Sequence, residues 1–165
     1  MRQDIAGVSP AQVAETTVTT TWPSIAVYPT GRKLGTWFEI AWPDIYFFRL
    51  GNLLALLSIP VALLLYFLRL LPGRGVRYRL TNRRVVVESA LTYTEQGSLG
   101  LGDFDTITIE VQPGQAWFHA GDLVFLQHGQ PVFRLDGVSR PEVFRQTCDK
   151  SRKTWQGVQL VAQPA

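Results

Sequence analysis

The sequence has little cysteine, little histidine and little net charge, and each shortage excludes a class of protein. The single cysteine, Cys148, excludes an internal disulfide and gives no sign of an oxidising compartment. The two histidines, His119 and His128, lack the further ligands at definite spacing that a metal site requires. A net charge of +3 on 165 residues is too small for a dedicated nucleic-acid-binding protein. We therefore expect no metal, no cofactor and no nucleic-acid partner.

Catalytic groups are also missing from the pattern. The aspartates, Asp122 among them, adjoin glycine or lie at the ends of predicted strands, where Asp favours turns through its own backbone hydrogen bonds. Acid–base chemistry needs carboxylates with raised pKa values in a cleft, and the sequence indicates neither. Cys148 falls on the apolar side of a predicted helix, which is typical of a small core residue. The sequence thus predicts no catalytic residue, and we expect a protein that is not an enzyme.

One long uncharged run stands out against this background. Leu50 to Leu68 are 19 residues without charge, between Arg49 and Arg69. As a helix this run would be roughly 28 Å long, close to the ~30 Å hydrocarbon core of a bilayer. We predict a single transmembrane helix over residues 45–71, kinked at Pro60. A re-entrant hairpin that turns at Pro60, with both ends on one side of the membrane, is the alternative.

Charge around the run predicts its orientation. Residues 69–84 contain six arginines and no acid, whereas residues 1–44 contain three basic and four acidic residues. Positive charge beside a span is retained on the cytoplasmic side. We expect an integral, single-pass membrane protein whose C-terminal domain is cytoplasmic, with the residues before the span on the opposite side.

Two sets of residues are candidates for contacts. The first is a basic rim that could bind lipid phosphate or a partner, because Arg donates bidentate hydrogen bonds to phosphate; simple solvated edge charge is the other interpretation. Its members are Arg74, Arg77, Arg79, Arg83 and Arg84. The second is a stripe of small residues that would allow close helix packing within the span, although chance could produce it. Its members are Gly51, Ala55, Ser58 and Ala62.

The segment before the run is rich in aromatic residues. The residues TTVTTTW predict a short strand, and the following WPSIAVYPTGRKLG, broken by Pro23, Pro29 and Gly31, predicts an irregular surface connection. Trp37, Trp42 and Tyr46 are typical of the headgroup level of a membrane, so TWFEIAWPDIYFF is interpreted as an interfacial lead-in to the span.

After Gly73 the pattern becomes that of a small antiparallel sheet. Val76, Tyr78 and Leu80 alternate with arginines, and TNRR supplies the turn to a second strand, VVV. Further strands are predicted at 99–101, 107–111, 122–127 and 132–136.

A final helix follows the predicted strands. Its predicted start is a capping box of Ser139 with Glu142, and it is predicted to run to about Trp155 and stop at Gly157.

Four ordered motifs carry a family resemblance: YRLTNRRVVVES, LGLGDFDTITIEV, GDLVF and LDGVSRPEVF. With a span before the first of them, the chain from Thr16 to Trp155 resembles the bacterial pleckstrin-homology (PH) family of membrane proteins. Many members have two spans, whereas only one is predicted from this sequence. The resemblance implies an α+β fold, in which a PH-like antiparallel sheet or barrel is closed by a C-terminal helix, and membrane anchoring. It implies no particular ligand.

The resulting domain prediction has four parts. Residues 1–44 are an N-terminal strand and interfacial segment, 45–71 the transmembrane helix, 72–157 the PH-like domain and 158–165 a tail. We expect a non-enzymatic, membrane-anchored interaction module that acts as a scaffold or accessory subunit of a membrane complex. Its expected partners are membrane lipids and other integral membrane proteins or further copies of itself. Binding of anionic lipid headgroups through the arginine rim is the alternative function.

Overall fold

The computed structural model describes residues 14–40, 44–45, 48–68 and 75–162. Within them are nine strands, three α-helices and two short 3-10 helices, Ile25–Val27 and Ala116–Phe118. The strands are β1 (Thr17–Thr21), β2 (Asp44–Ile45), β3 (Phe48–Arg49), β4 (Val76–Thr81), β5 (Arg84–Ser89), β6 (Glu95–Gly100), β7 (Thr106–Glu110), β8 (Ala120–Gln127) and β9 (Gln130–Ser139). The helices are α1 (Pro29–Glu39), α2 (Leu50–Leu68) and α3 (Pro141–Ala162).

Two antiparallel sheets enclose the core, which confirms the predicted α+β class. One sheet has the order β1-β4-β5-β6 and the other the order β7-β8-β9. Alternate apolar residues of both sheets point inward, as half-buried strands require, and α3 adds Phe144 and Cys148 to the same core. Phe104 and Phe125 meet edge to face there, with ring centroids 5.0 Å apart.

The predicted β4–β5 hairpin is confirmed, and a buried threonine organises its turn. The Thr81 hydroxyl accepts hydrogen bonds from the backbone N–H groups of Arg83 (3.2 Å) and Arg84 (2.9 Å) and donates one to the Arg84 carbonyl (2.8 Å). The buried Thr81 hydroxyl is therefore paired within the turn itself.

The N-terminal threonine strand belongs to the four-stranded sheet; we call this sheet and the β7-β8-β9 sheet together the barrel. β1 pairs antiparallel with β4, with Thr21 opposite Tyr78. Just before it, the Thr16 N–H donates to the Asn82 side chain (3.0 Å), and the Asn82 amide donates to the Ala14 carbonyl (3.2 Å). The chain before α2 and the chain after it are thus hydrogen-bonded neighbours, which disagrees with the expectation that they lie on opposite sides of a membrane.

Helix α2 occupies most of the predicted span. It runs from Leu50 to Leu68 with Pro60 inside it. Among the described residues, no helix combines the length and apolarity needed to cross a membrane. The transmembrane helix predicted over 45–71 is not found.

The irregular connection predicted before α2 is wrong, because Pro29 begins a helix. Proline is tolerated at the first helical position, where its missing N–H is not needed. Gly31 and Gly35 are buried positions of close approach rather than breaks. A Cβ on Gly31 would overlap the backbone of Ile25, and one on Gly35 would overlap the backbone of Gly114. Glycine at these positions lets α1 pack directly on two other segments.

The final helix differs from its prediction at both ends. It begins at Pro141, so Arg140 directly precedes it, while Ser139 is the last residue of β9. The predicted Ser139 capping box is therefore wrong, because pairing with Ala120 keeps Ser139 in the sheet. The helix continues through Gly157 to Ala162, since glycine weakens a helix interior without forbidding it.

Candidate interaction surface

Three arginines of the predicted rim, Arg77, Arg79 and Arg84, are held in ion pairs. Arg77 and Arg79 lie on the same face of β4, and Glu88 lies opposite Arg77 on β5. Arg77 donates to one Glu88 carboxylate oxygen from Nε (2.8 Å) and Nη2 (2.5 Å), and Arg79 Nε donates to the other oxygen (2.6 Å). The Glu88 carboxylate is buried, and the Arg77 guanidinium also stacks 4.0 Å from the centre of the Tyr93 ring. One buried acid thus holds two of the five predicted contact residues.

Arg84 has acidic partners of its own. It bonds to Glu15 (2.9 Å) and to Glu95 (2.9 Å), and all three groups are partly exposed. The hydrogen bond to Arg84 lowers the pKa of Glu15, and the same bond raises the pKa of Arg84. Arg83 lies in the exposed turn, and Arg74 lies outside the described residues. Contact of the arginines with lipid or a partner stays a prediction, and for Arg77, Arg79 and Arg84 it would compete with these ion pairs.

Arg77→Ala should destabilise the protein, whereas a solvated rim residue would be nearly neutral. We expect the free energy of unfolding to fall by about 1–3 kcal/mol, because Glu88 stays buried with one of its two cations gone and Tyr93 loses its stacking partner. Chemical denaturation in mild detergent measures this. Lys153→Ala, which removes an exposed cation on α3, is the control. Equal stability of the two variants would contradict the pairing argument.

Helix α2 presents its apolar side chains to the surroundings. Leu57 is 71% exposed and Leu64 is 62% exposed, one above the other two turns apart. We call the most exposed side of the helix the apolar face, which comprises Leu56, Leu57, Leu63, Leu64 and Phe67. So much contiguous exposed apolar surface is unusual for a protein in water and is typical of interaction sites.

The opposite side of α2 packs on the protein itself. Leu65 is buried and Ser58 and Ala62 are half-buried, at helical spacing, and α2 contacts α1 and the 3-10 helix Ile25–Val27. Two members of the predicted small-residue stripe therefore lie on the side turned towards the domain. Gly51 and Ala55 lie in the first turns of α2, outside the described side chains.

A buried carboxylate fixes the loop between β7 and β8. Asp122, only 1% exposed, accepts hydrogen bonds from the side chains of Gln112 (2.6 Å), Gln115 (2.7 Å) and Arg134 (2.5 Å) and from the Gly137 N–H (2.7 Å). Burial opposes its ionisation, but these bonds outweigh burial and lower its pKa. The sequence pattern predicts a turn role for Asp122, whereas the structure gives it an internal one. An acid at the start of the apolar strand GDLVF is the sequence signal for that internal role.

The remaining titratable candidates lie in the core or in exposed turns. Burial raises the pKa of Cys148 to about 12, so its thiol stays protonated inside the core as expected. His119 and His128 are exposed and adopt left-handed backbone conformations in turns. In the described part of the chain, no cluster of His, Cys, Asp and Glu side chains could hold a metal ion.

The two-sheet fold closed by α3 agrees with the comparison with known families. A family model described as "Bacterial PH domain" matches residues 34–152, from the middle of α1 into α3 and well over half of the chain. No curated protein and no solved structure matches the chain. The matched range includes the second half of α1 and the whole of α2 as well as the strands β4 to β9. The chain belongs to the bacterial PH domain family.

Proposed function

We propose that this protein is a membrane-attached, non-enzymatic interaction module, in which α2 is the attachment element and the barrel contacts partners. PH domains are in general non-catalytic modules that bind proteins or lipids, and the family match supports this class of function. The observation that carries the membrane part is the exposure of the apolar face of α2. Transfer of apolar surface from water to hydrocarbon gains about 25 cal/mol per Å², so a bilayer is a favourable environment for this face.

The sheet pairing favours attachment from one side. β1 and β4 flank the α1–α2 segment and are hydrogen-bonded to each other. Only seven residues, 69–75, separate α2 from β4. A chain that crossed with α2 would have to return, and a return needs about 20 residues as a helix or about 10 as a strand. The proposed arrangement therefore keeps both ends of α2 on the barrel's side, as in the re-entrant alternative and unlike a single pass.

The arginines and the family support the remaining parts of the proposal. The cytoplasmic leaflet carries anionic lipids that attract basic residues, and six arginines lie within residues 69–84, so we place the barrel on that side. Attachment brings the barrel within reach of integral membrane proteins or of further copies of the chain. A role as scaffold or accessory subunit follows from such contacts, without any chemistry of its own.

Replacing two leucines of the apolar face by aspartate tests the attachment. The double variant Leu57→Asp/Leu64→Asp should move the protein from the membrane fraction to the supernatant. Each change removes the roughly 1.5–3 kcal/mol that burial of a leucine side chain contributes to membrane binding, and it adds the cost of placing a charge in hydrocarbon. The partition coefficient between membrane and water should therefore drop at least about 100-fold. The matched control is Leu160→Asp, because Leu160 is a 76% exposed leucine on α3. If the double variant remains with the membrane as fully as the control, α2 is not the attachment element.

A further inference from the structure

Two exposed tryptophans lie near the end of α1: Trp37 is on the helix, and Trp117 contacts the helix residues Phe38 and Glu39. Trp37 on α1 is 57% exposed, and Trp117 in the loop between β7 and β8 is 50% exposed. Trp117 is held in place, because its ring lies 5.3 Å from the ring of Phe38 and its backbone N–H donates to the Glu39 carboxylate (3.3 Å). Ile40, also exposed, follows directly. We call Trp37, Ile40 and Trp117 the indole patch.

The loop that carries Trp117 is anchored on both sides. Gly114 adopts a left-handed conformation and packs backbone to backbone on α1 at Gly35, while Arg32 of α1 donates to the Gln112 side chain. On the inner side, Asp122 binds Gln112 as described above. A rigid support that leaves half of a large aromatic ring in water indicates a contact surface, because burying the ring within the domain would have contributed to stability.

The helix that carries Trp37 of the indole patch contacts the proposed attachment element. α1 contacts α2, and only residues 40–49 separate the two helices. Lys33, exposed on α1 one turn before Trp37, adds positive charge near the patch. Indole rings favour the headgroup level of a bilayer, where the N–H stays wet and the ring is dry, and cations near them favour anionic headgroups.

Trp155 occupies a different part of the molecule. α3 begins at Pro141, which packs next to Gly121 at the base of the Trp117 loop. Trp155 is fourteen residues further along the helix, roughly 21 Å away at 1.5 Å per residue, and it packs on Gly102. The chain therefore contains an internal control for any measurement on Trp37 and Trp117.

We propose that Trp37 and Trp117 form a second contact with the bilayer, in which their rings lie at the headgroup level beside α2 and fix the orientation of the barrel on the membrane. This inference rests on the proposed attachment through α2. It adds a specific lipid-facing surface on the barrel, at the β7–β8 loop. Attachment through α2 alone would leave the barrel free to tilt on the membrane.

Quenching of single tryptophans tests the inference on the full chain. Variants that keep one tryptophan and carry Phe at the other four positions are bound to vesicles of mixed zwitterionic and anionic phospholipids, with or without bromine near the headgroup end of the acyl chains. Trp37 and Trp117 should each lose about half of their emission in brominated vesicles, because bromine quenches indoles that lie at the interface. Trp155 should change little.

Each outcome decides between the inference and the attachment on which it rests. Sedimentation of every variant with the vesicles, without quenching of Trp37 and Trp117, would overturn the indole contact and leave attachment through α2 intact. Failure of all variants to sediment would overturn both. Protection of the two rings without lipid, in a concentration-dependent manner, would assign the patch to contact between copies of the chain and would also overturn the inference. Circular dichroism on each variant verifies that the Phe replacements leave the fold unchanged.

Discussion

Asp122→Ala should be among the most damaging single changes in the barrel and should lower the free energy of unfolding by about 3–5 kcal/mol. Asp122 is the common acceptor for two glutamine side chains, Arg134 and a backbone N–H, and it is almost fully buried. Its removal leaves several donors without an acceptor in a place that water does not reach, and each buried unsatisfied donor costs about 1–3 kcal/mol. Denaturant unfolding in mild detergent measures the loss.

Asp136→Ala is the matched control for this change. Asp136 also bonds to Arg134 (2.9 Å) but is exposed. Exposed ion pairs contribute about 0–1 kcal/mol, so the control should be nearly neutral. If both variants lose the same stability, the charge of Arg134 rather than the burial of Asp122 determines the effect.

The same carboxylate predicts how the stability changes with pH. The pKa of Asp122 is lower in the folded state than in the unfolded chain. Its contribution is therefore complete above the unfolded value of about 4 and is lost as the pH falls through the lower folded value. Asp122→Asn should flatten the decline in stability below about pH 4, and an unchanged acid profile would contradict the assignment.

The sequence predicted the local architecture of the barrel well. The period of two in Val76, Tyr78 and Leu80, with the polar turn after Thr81, defined a hairpin before any tertiary contact was known. Such signals are local, since alternation and turn chemistry act between near neighbours. The strand boundaries changed by a few residues at most for β8 and β9, because pairing between strands decides where a strand ends.

Contacts between segments that are far apart in the chain could not be predicted from the sequence pattern. Nothing within β4 indicates that Arg77 and Arg79 share Glu88, because the partner is selected by sheet register. The same limit applies to β1, whose pairing with β4 brings together residues separated by the whole α1–α2 segment. An arginine-rich strand beside an apolar helix was therefore interpreted as a free basic rim, although most of its described members have acidic partners in the fold.

Hydropathy alone could not decide between a helix that crosses the membrane and one that attaches to a single side. A 19-residue uncharged helix is long enough to suggest a span, and only the hydrogen bonds between the flanking segments give a reason to favour one-sided attachment. The predictions for Trp42, Tyr46 and Arg74 fall outside the described residues, in the ranges 41–43, 46–47 and 69–74.

Gly35→Ala should detach α1 from the barrel. A Cβ at this position would come nearer to the Gly114 backbone than real Cβ atoms approach any neighbour, and backbone cannot move aside as a flexible side chain can. Gly114 itself is in a left-handed conformation against Arg32, so the loop has no room to retreat. We expect a loss of about 3 kcal/mol in the free energy of unfolding, at the upper end of overpacking effects. Faster amide exchange in α1 should accompany it.

Gly157→Ala is the control, because it makes the same substitution in a helix where no atom lies within 4 Å of the new Cβ. This change should stabilise α3 by about 0.5–1 kcal/mol, since alanine is the better helix former. The two substitutions are thus expected to have opposite signs. In the Gly35→Ala variant, emission from Trp117 should also change, because its contact with Phe38 depends on α1 being docked. If Gly35→Ala were as harmless as Gly157→Ala, α1 would not pack on the loop as described, and the link from the barrel through α1 to the apolar face of α2 would be lost with it.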